Sequence, residues 1–323
     1  MKFSRRRFLA IAAAVPVVGF GSRPAAATRW VGTALCATAA ITLYHPDGDA
    51  ARRALADCRA EIARLEDLFS LHHKNSALSR LNREGGLTSA PPDLTAVVSR
   101  ALDFGRETGG AFDITVQPLW NLYAEHFFDG AGDGIGPDPA ALEATRALVG
   151  QSAVRVGGRA ISLGSPGMAV TLNGIAQGYI TDRVTEVLRR HGISQVYVDM
   201  GETRVLGTHA DGRPWRVGLR DPIDPARITQ TLPLADRALA TSGGYGTRFD
   251  SRHHHLFDPR TGRCANHYLA VSVLAPDATT ADALSTGLYA MSPDEAMACV
   301  EGFDDVGALF TLPDGRLIRR GTV

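Results

Sequence analysis

One stretch constrains this chain more than any other. Ala240 to Gly262 reads Ala-Thr-Ser-Gly-Gly-Tyr-Gly-Thr-Arg-Phe-Asp-Ser-Arg-His-His-His-Leu-Phe-Asp-Pro-Arg-Thr-Gly. Tyr245 to Phe249 and His254 to Phe257 suit β structure, and Asp250-Ser251 supplies turn chemistry between them, so a hairpin is expected. Asp258 to Gly262 closes it with a turn fixed by Pro and Gly, leaving His255 at a strand end beside a rigid corner. Ahead of it, Thr241-Ser242-Gly243-Gly244 reads as a small flexible loop whose N–H groups can approach a phosphate or carbonyl. The pattern points to a site rather than to core alone.

The remaining chain mixes both periodicities. Thr38 to Tyr44 reads as a strand, and Leu55, Cys58, Ile62, Leu65 and Phe69 recur every three or four residues, the stripe of an amphipathic helix. A polar loop, Ser70 to Ser76, leads to a short helical piece around Leu78 and Leu81. Pro91-Pro92-Asp93 opens a second long helix with Leu94, Val97, Val98, Ala101 and Leu102 inward, stopped by Thr108-Gly109-Gly110. Val170 to Asp182 predicts a strand running into a helix with Ile180, Val184, Val187 and Leu188 buried. Strands are expected at Ile193 to Asp199, around Trp215, Val217 and Leu219, at Ile228 to Leu234 and at Leu269 to Leu274, and a helix at Thr280 to Met291. The expected class is α+β, with antiparallel sheet and packed helices in two joined halves.

The N-terminus reads as an address. Ser4-Arg5-Arg6-Arg7-Phe8-Leu9, an apolar run to Phe20 and Ala25-Ala26-Ala27 predict a twin-arginine export signal over residues 1–27 and a periplasmic protein of residues 28–323. The run is short for a membrane span, and no later stretch is apolar enough to cross one. Loss of Lys2, Arg5, Arg6, Arg7 and Arg23 takes 34 basic residues to 29 against 34 acidic ones, so the exported part has no basic field for nucleic acid. Cys36, Cys58, Cys264 and Cys299 form no Cys-x-x-Cys pair; Cys58 falls on a helix stripe, and one disulfide elsewhere stays open.

Several familiar motifs are missing. Gly132-x-Gly134-x-Gly136 has neither the spacing nor the preceding strand of a dinucleotide fingerprint, and there is no Walker loop, His-Glu-x-x-His or Gly-x-Ser-x-Gly. Asp113, after two glycines, either caps a turn or holds a ligand. Asp282, Ser285 and Thr286 offer a carboxylate and hydroxyls within about one helical turn, either oxygen ligands of the kind Mg²⁺ takes or ordinary helix-start residues. Of His253-His254-His255, strand alternation sends His254 to the opposite face, which favours one functional histidine over a metal tract.

In order along the chain, Ser70 to Asn82, Gly109 to Pro118, Asn173 to Asp182, Thr241 to Gly262 and Ala281 to Thr286 resemble the blocks of the ApbE-type FAD:protein FMN transferases. The wording around Asn173 to Asp182, with twin-arginine export, resembles the NosX branch associated with nitrous oxide respiration. The resemblance implies an Mg²⁺-dependent enzyme that splits FAD at its pyrophosphate, attaches FMN by a phosphoester to a Ser or Thr of an acceptor flavoprotein, and releases AMP. It places His255 as the general base, an imidazole near its ordinary pKa of about 6.5. It places Asp282 and Thr286 as Mg²⁺ ligands, with Ser285 and the Gly174 carbonyl beside them, and Ala111, Phe112, Asp113, Gln177 and Leu256 at FAD-binding positions. Thr171, Gln177 and His72 depart from the Asp, Lys and Tyr common there, and a neutral Thr forgoes one charge toward the nucleotide. Two rival expectations are an FAD pyrophosphatase, in which water replaces the acceptor, and a non-catalytic flavin-binding assembly protein.

Overall fold

A computed structural model describes residues 14–16, 27–35, 37–129 and 134–323. Arg5, Arg6, Cys36 and Gly132 lie outside the described residues. Eight antiparallel strands form the main sheet, in the order Leu317–Gly321, Gly307–Thr311, Ala270–Ala275, Ala238–Ser242, Thr203–Leu206, Val196–Asp199, Ala37–Tyr44, Ala27–Ala34. Its N-terminal and C-terminal halves join through a short ladder, Ala238 with Arg204 and Leu239 with Thr203, beside which the Val205 N–H donates to the Arg237 carbonyl at 3.0 Å. The α+β expectation holds.

Burial sorts the two faces. In Ala37–Tyr44 the alternate residues Ala39, Ile41 and Leu43 are fully buried and enter the main core, which the helices cover. Helix Gly48–Phe69 supplies Leu55, Cys58, Ile62, Leu65 and Phe69 to it, as its period requires, and starts on Asp47, whose carboxylate accepts from the Asp49 and Ala50 N–H groups. Helices Ala77–Glu84 and Pro92–Glu107 also match expectation. The strands Val196–Asp199 and Thr203–Leu206 are buried along their length because a second sheet covers their other face. There Trp215, Val217 and Leu219 of Trp215–Arg220, with Leu232 and Leu234 of Ile228–Leu234, pack on Tyr197, Val205, Leu239 and Leu274. Ala14–Pro16, inside the expected export signal, pairs with the free edge of Trp215–Arg220.

Two local expectations fail. No strand precedes helix Ala176–Arg190: the Asn82 side-chain amide takes the place of a neighbouring strand, donating to the Val170 carbonyl at 2.8 Å and accepting the Val170 N–H at 2.7 Å. The expected hairpin after Tyr245 shrinks to a single bridge between Arg248 and His254. Asp250 causes this, since its Oδ1 draws in the N–H groups of Arg252 and His253 at 2.7 and 2.6 Å and so competes with the ladder. The turn at Asp258 forms as expected, with the N–H groups of Thr261 and Gly262 donating to the Asp258 carbonyl and Gly262 at φ 70°. Among the described residues no helix is long and apolar enough to cross a membrane.

Candidate active site

Helix Ala278–Tyr289 is the centre of the site. Asp277 is its N-cap, with Oδ1 accepting the Thr280 N–H at 2.7 Å, so Asp282 stands inside the helix and the capping explanation for it falls away. Asp282 and Thr286, four apart, share one face, with Ser285 beside them. Asp282 is 3 % exposed, and its Oδ2 accepts the Gly178 N–H at 2.9 Å. A Cβ on Gly178 would overlap the Ala278 carbonyl, so only glycine lets the two helices approach this closely. A Cβ on Gly174 would lie 2.9 Å from Thr286 Oγ1, which places that turn on the hydroxyl. Asp182 completes the clasp. Its carboxylate accepts from the N–H groups of Ala278 and Thr279 at 2.9 and 2.8 Å and from Thr279 Oγ1, and it pairs with the guanidinium of buried Arg204.

Ser242 connects this face to the histidines. Its Oγ lies 2.8 Å from Ser285 Oγ and 3.2 Å from Thr286 Oγ1. Thr241 and Ser242 end strand Ala238–Ser242 and are not part of a flexible loop; Gly243 and Gly244 form a buried turn after it, with the Gly244 N–H donating to Tyr289 Oη at 3.1 Å. A Cβ on Gly244 would come to 2.7 Å of the His254 ring. One six-residue stretch, Thr241 to Gly246, thus touches the Thr286 hydroxyl at one end and the histidine segment at the other.

The three histidines have three different surroundings. His253 Nδ1 lies 2.9 Å from the Asp250 carboxylate. His254 is 2 % exposed; its Nδ1 accepts the Leu256 N–H and its Nε2 faces Asn266 Oδ1 at 3.2 Å, a consistent Nε2–H tautomer. His255 is half-buried, with Nδ1 3.1 Å from the Thr247 carbonyl. The Thr247 N–H also lies 3.3 Å from Nδ1; in the tautomer that donates Nδ1–H to the nearer carbonyl, the Nε2 lone pair is left to accept a proton. Burial pushes both His254 and His255 down to about 4, so the expectation of an ordinary imidazole at 255 is corrected: the ring is neutral well below pH 7.

The remaining expected contacts divide. Ala111 and Phe112 are buried behind Thr286, since a Cβ on its neighbour Gly287 would lie 3.1 Å from Phe112 Cβ. Asp113 caps the next turn, both oxygens being engaged, Oδ1 by the Thr115 N–H and hydroxyl and Oδ2 by the Gln151 N–H. Gln177 Nε2 points at the Met200 carbonyl at 3.4 Å across Gly201, where φ is +96° and a Cβ would lie 2.5 Å from that nitrogen. Thr171 Oγ1 accepts the Asn173 N–H. Leu256 is half-buried below His255, and His72 sits in the exposed loop after the first helix.

Sequence reasoning gave no role to Ser242, Asp182 or Glu202. Glu202 is 5 % exposed and its Oε2 has no hydrogen-bond partner; burial, with Asp282 and Asp199 adding, holds its carboxyl well above the usual range. Its one signal was position, an acid directly after the buried strand that ends in Asp199-Met200-Gly201. Burial also pushes Asp282 up to about 7. The site is therefore short of positive charge. Among the described residues no three His, Cys, Asp or Glu side chains gather to hold a metal. A cation here would rest on one carboxylate, the Thr286 hydroxyl and backbone or substrate oxygens, a donor set that fits Mg²⁺, which keeps few protein ligands.

The ApbE family model matches residues 35–310. The chain belongs to the ApbE family. A relative in Vibrio cholerae, named FAD:protein FMN transferase, is 33% identical over 92% of this chain and 91% of its own. One of the same name in Salmonella typhimurium is 32% identical over 72% and 69%. Among solved ApbE structures, the Vibrio cholerae flavin transferase superposes with a TM-score of 0.80 at 30% identity, covering 92% of this chain and 97% of that one. The Thermotoga maritima apbe protein gives 0.80 at 25% identity, covering 91% and 97%.

Proposed function

We propose that this ApbE protein is an Mg²⁺-dependent FAD:protein FMN transferase. The observation that carries the reading is the six-residue segment Ser242–Thr247: at one end the Ser242 hydroxyl lies 3.2 Å from Thr286 Oγ1, on the face that holds Asp282 and abuts Gly174, and at the other the Thr247 carbonyl lies 3.1 Å from Nδ1 of the neutral His255. His255 Nε2 takes the proton of an acceptor Ser or Thr hydroxyl, whose oxygen attacks the FMN-side phosphorus of FAD. The P–O bond to the AMP phosphate breaks and AMP leaves with its bonding pair. Bound Mg²⁺ supplies charge neutralisation at the pyrophosphate oxygens. Asp282 and Thr286 would hold it; Ala111, Phe112, Gln177 and Leu256 would shape the nucleotide side.

The finer reading is a periplasmic enzyme, exported through its Arg5-Arg6 signal, whose acceptor is a respiratory flavoprotein linked to nitrous oxide reduction. The N-terminal sequence and the Asn173 to Asp182 wording support it. Incubation with FAD, Mg²⁺ and a candidate acceptor domain tests the reaction. AMP release with an acceptor mass gain of one FMN less water is expected. AMP without a mass gain makes the protein a pyrophosphatase, and FAD binding without AMP makes it a binder.

A further inference from the structure

Three hydroxyls of the site form a chain in which each hydrogen has one place to go. Ser285 Oγ lies 3.0 Å from the Asp282 carbonyl, which can only accept, so the single Ser285 hydrogen is spent there. The 2.8 Å contact between Ser242 Oγ and Ser285 Oγ is therefore donated by Ser242, and that uses the single Ser242 hydrogen. The remaining contact, 3.2 Å between Ser242 Oγ and Thr286 Oγ1, is then donated by Thr286. Counting hydrogens thus fixes one direction: Thr286 to Ser242, Ser242 to Ser285, Ser285 to the Asp282 backbone. Among the described residues nothing donates to Thr286 Oγ1, so both its lone pairs stay open, with the Gly174 turn close beside it. Ser285 is 1% exposed, its hydrogen is committed and its oxygen already accepts from Ser242.

We propose that Ser242 is a positioning residue of the cation site: it takes up the Thr286 hydrogen so that the Thr286 oxygen meets Mg²⁺ with its lone pairs, and Ser285 is the buried anchor of this relay and not a ligand. The proposal rests on the Mg²⁺-dependent reading above. A hydroxyl binds a hard cation only through its oxygen, so a hydrogen turned toward the ion opposes binding. Donation to Ser242 also polarises the Thr286 O–H bond and makes its oxygen the stronger acceptor. The two side-chain ligands are then set from different directions. Helix Ala176–Arg190 fixes Asp282 through the Gly178 N–H, and strand Ala238–Ser242 fixes Thr286 through Ser242. Outer partners that orient a ligand in this way typically contribute about 10-fold to 100-fold in metal affinity.

Ser242→Ala and Ser285→Ala, each made in the wild type and in Thr286→Val, give two double-mutant cycles. Mg²⁺ affinity is read as the Mg²⁺ concentration at the midpoint of the melting-temperature rise, a measurement that needs no turnover and reaches weak sites. In the wild-type background each serine variant should weaken Mg²⁺ binding by about tenfold. In Thr286→Val, which has no hydroxyl to orient, the same substitutions should move the midpoint by less than about twofold. An equal loss in both backgrounds would mean that the serines act by shifting the helix, or that Ser285 meets the ion itself, and overturns the proposal. If Ser242→Ala does not fold, the Ser285→Ala cycle decides alone. Weak Mg²⁺ binding in Thr286→Val beside wild-type binding in both serine variants removes the relay and leaves the cation site standing. Wild-type Mg²⁺ binding in Thr286→Val fails the cation site of the parent reading, and the relay with it.

Discussion

The Gly178 backbone N–H donates to Asp282 Oδ2 at 2.9 Å across two helices 104 residues apart in sequence, and the same glycine has no room for a side chain against Ala278. Backbone contact and carboxylate placement are therefore one feature. Gly178→Ala should separate the helices, destabilise by about 1–3 kcal/mol as overpacking does, and weaken Mg²⁺ binding. Urea denaturation and calorimetric Mg²⁺ titration check this, and unchanged Mg²⁺ affinity would uncouple the two roles.

Asp182 ties the start of helix Ala278–Tyr289 to buried Arg204. Asp182→Ala leaves a buried guanidinium without its partner and two helix N–H groups unsatisfied, an error of about 3–5 kcal/mol. Chemical denaturation should show that loss. A change under 1 kcal/mol would mean the pair is not closed in solution.

The fold was legible where one rule acted alone. The Leu55-to-Phe69 stripe and the alternation of Ala39, Ile41 and Leu43 need only a period and a buried face. Long-range side-chain partners were not legible: nothing near Val170 announces that Asn82 will bond its backbone, and nothing near Asp250 announces that its carboxylate will break up a hairpin. The same holds in the site. Asp282 and Thr286 share a face by local spacing, but Ser242 reaches them only because strand Ala238–Ser242 lies beneath their helix. The lowered His255 pKa depends on burial, which no spacing reports.

Asp277 and Asp282 separate capping from metal holding. Asp277→Ala should cost about 1 kcal/mol and leave the Mg²⁺ dependence of transfer in place. Asp282→Ala should abolish transfer at ordinary Mg²⁺ and recover in part at high Mg²⁺. Identical Mg²⁺ curves for the two variants would remove Asp282 from the cation site.

His254 gives the structure an acid sensitivity of defined sign. Its folded value of about 4 lies below the unfolded value near 6.5, so the unfolded state binds the extra proton. Its stabilising effect is complete above about pH 6.5 and is lost as pH falls toward 4, by of order 1 kcal/mol per pH unit. Comparison with His254→Gln isolates this from the buried carboxylates: the wild type's stability relative to the variant should fall between pH 7 and pH 5. A constant gap would mean the ring ionises as freely as in the unfolded chain.

His255 is expected to act as the base on the acceptor hydroxyl, through Nε2 in the tautomer whose Nδ1–H donates to the Thr247 carbonyl. His255→Ala should keep near-normal FAD affinity and lose about 10² to 10⁴ in transfer rate. His254→Ala should behave differently from both the wild type and that variant. Its ring is buried against Tyr289 and Asn266, so removing it lowers the melting temperature while the remaining folded enzyme still transfers flavin. With His255 neutral down to about pH 4, wild-type transfer at saturating Mg²⁺ should stay nearly flat from pH 7 to about 5.5 instead of halving near 6.5. Flavin fluorescence titration and covalent FMN incorporation, run on both variants across that range, decide the matter. Wild-type transfer by His255→Ala would remove the base assignment, and loss of FAD binding in it would make His255 a nucleotide contact.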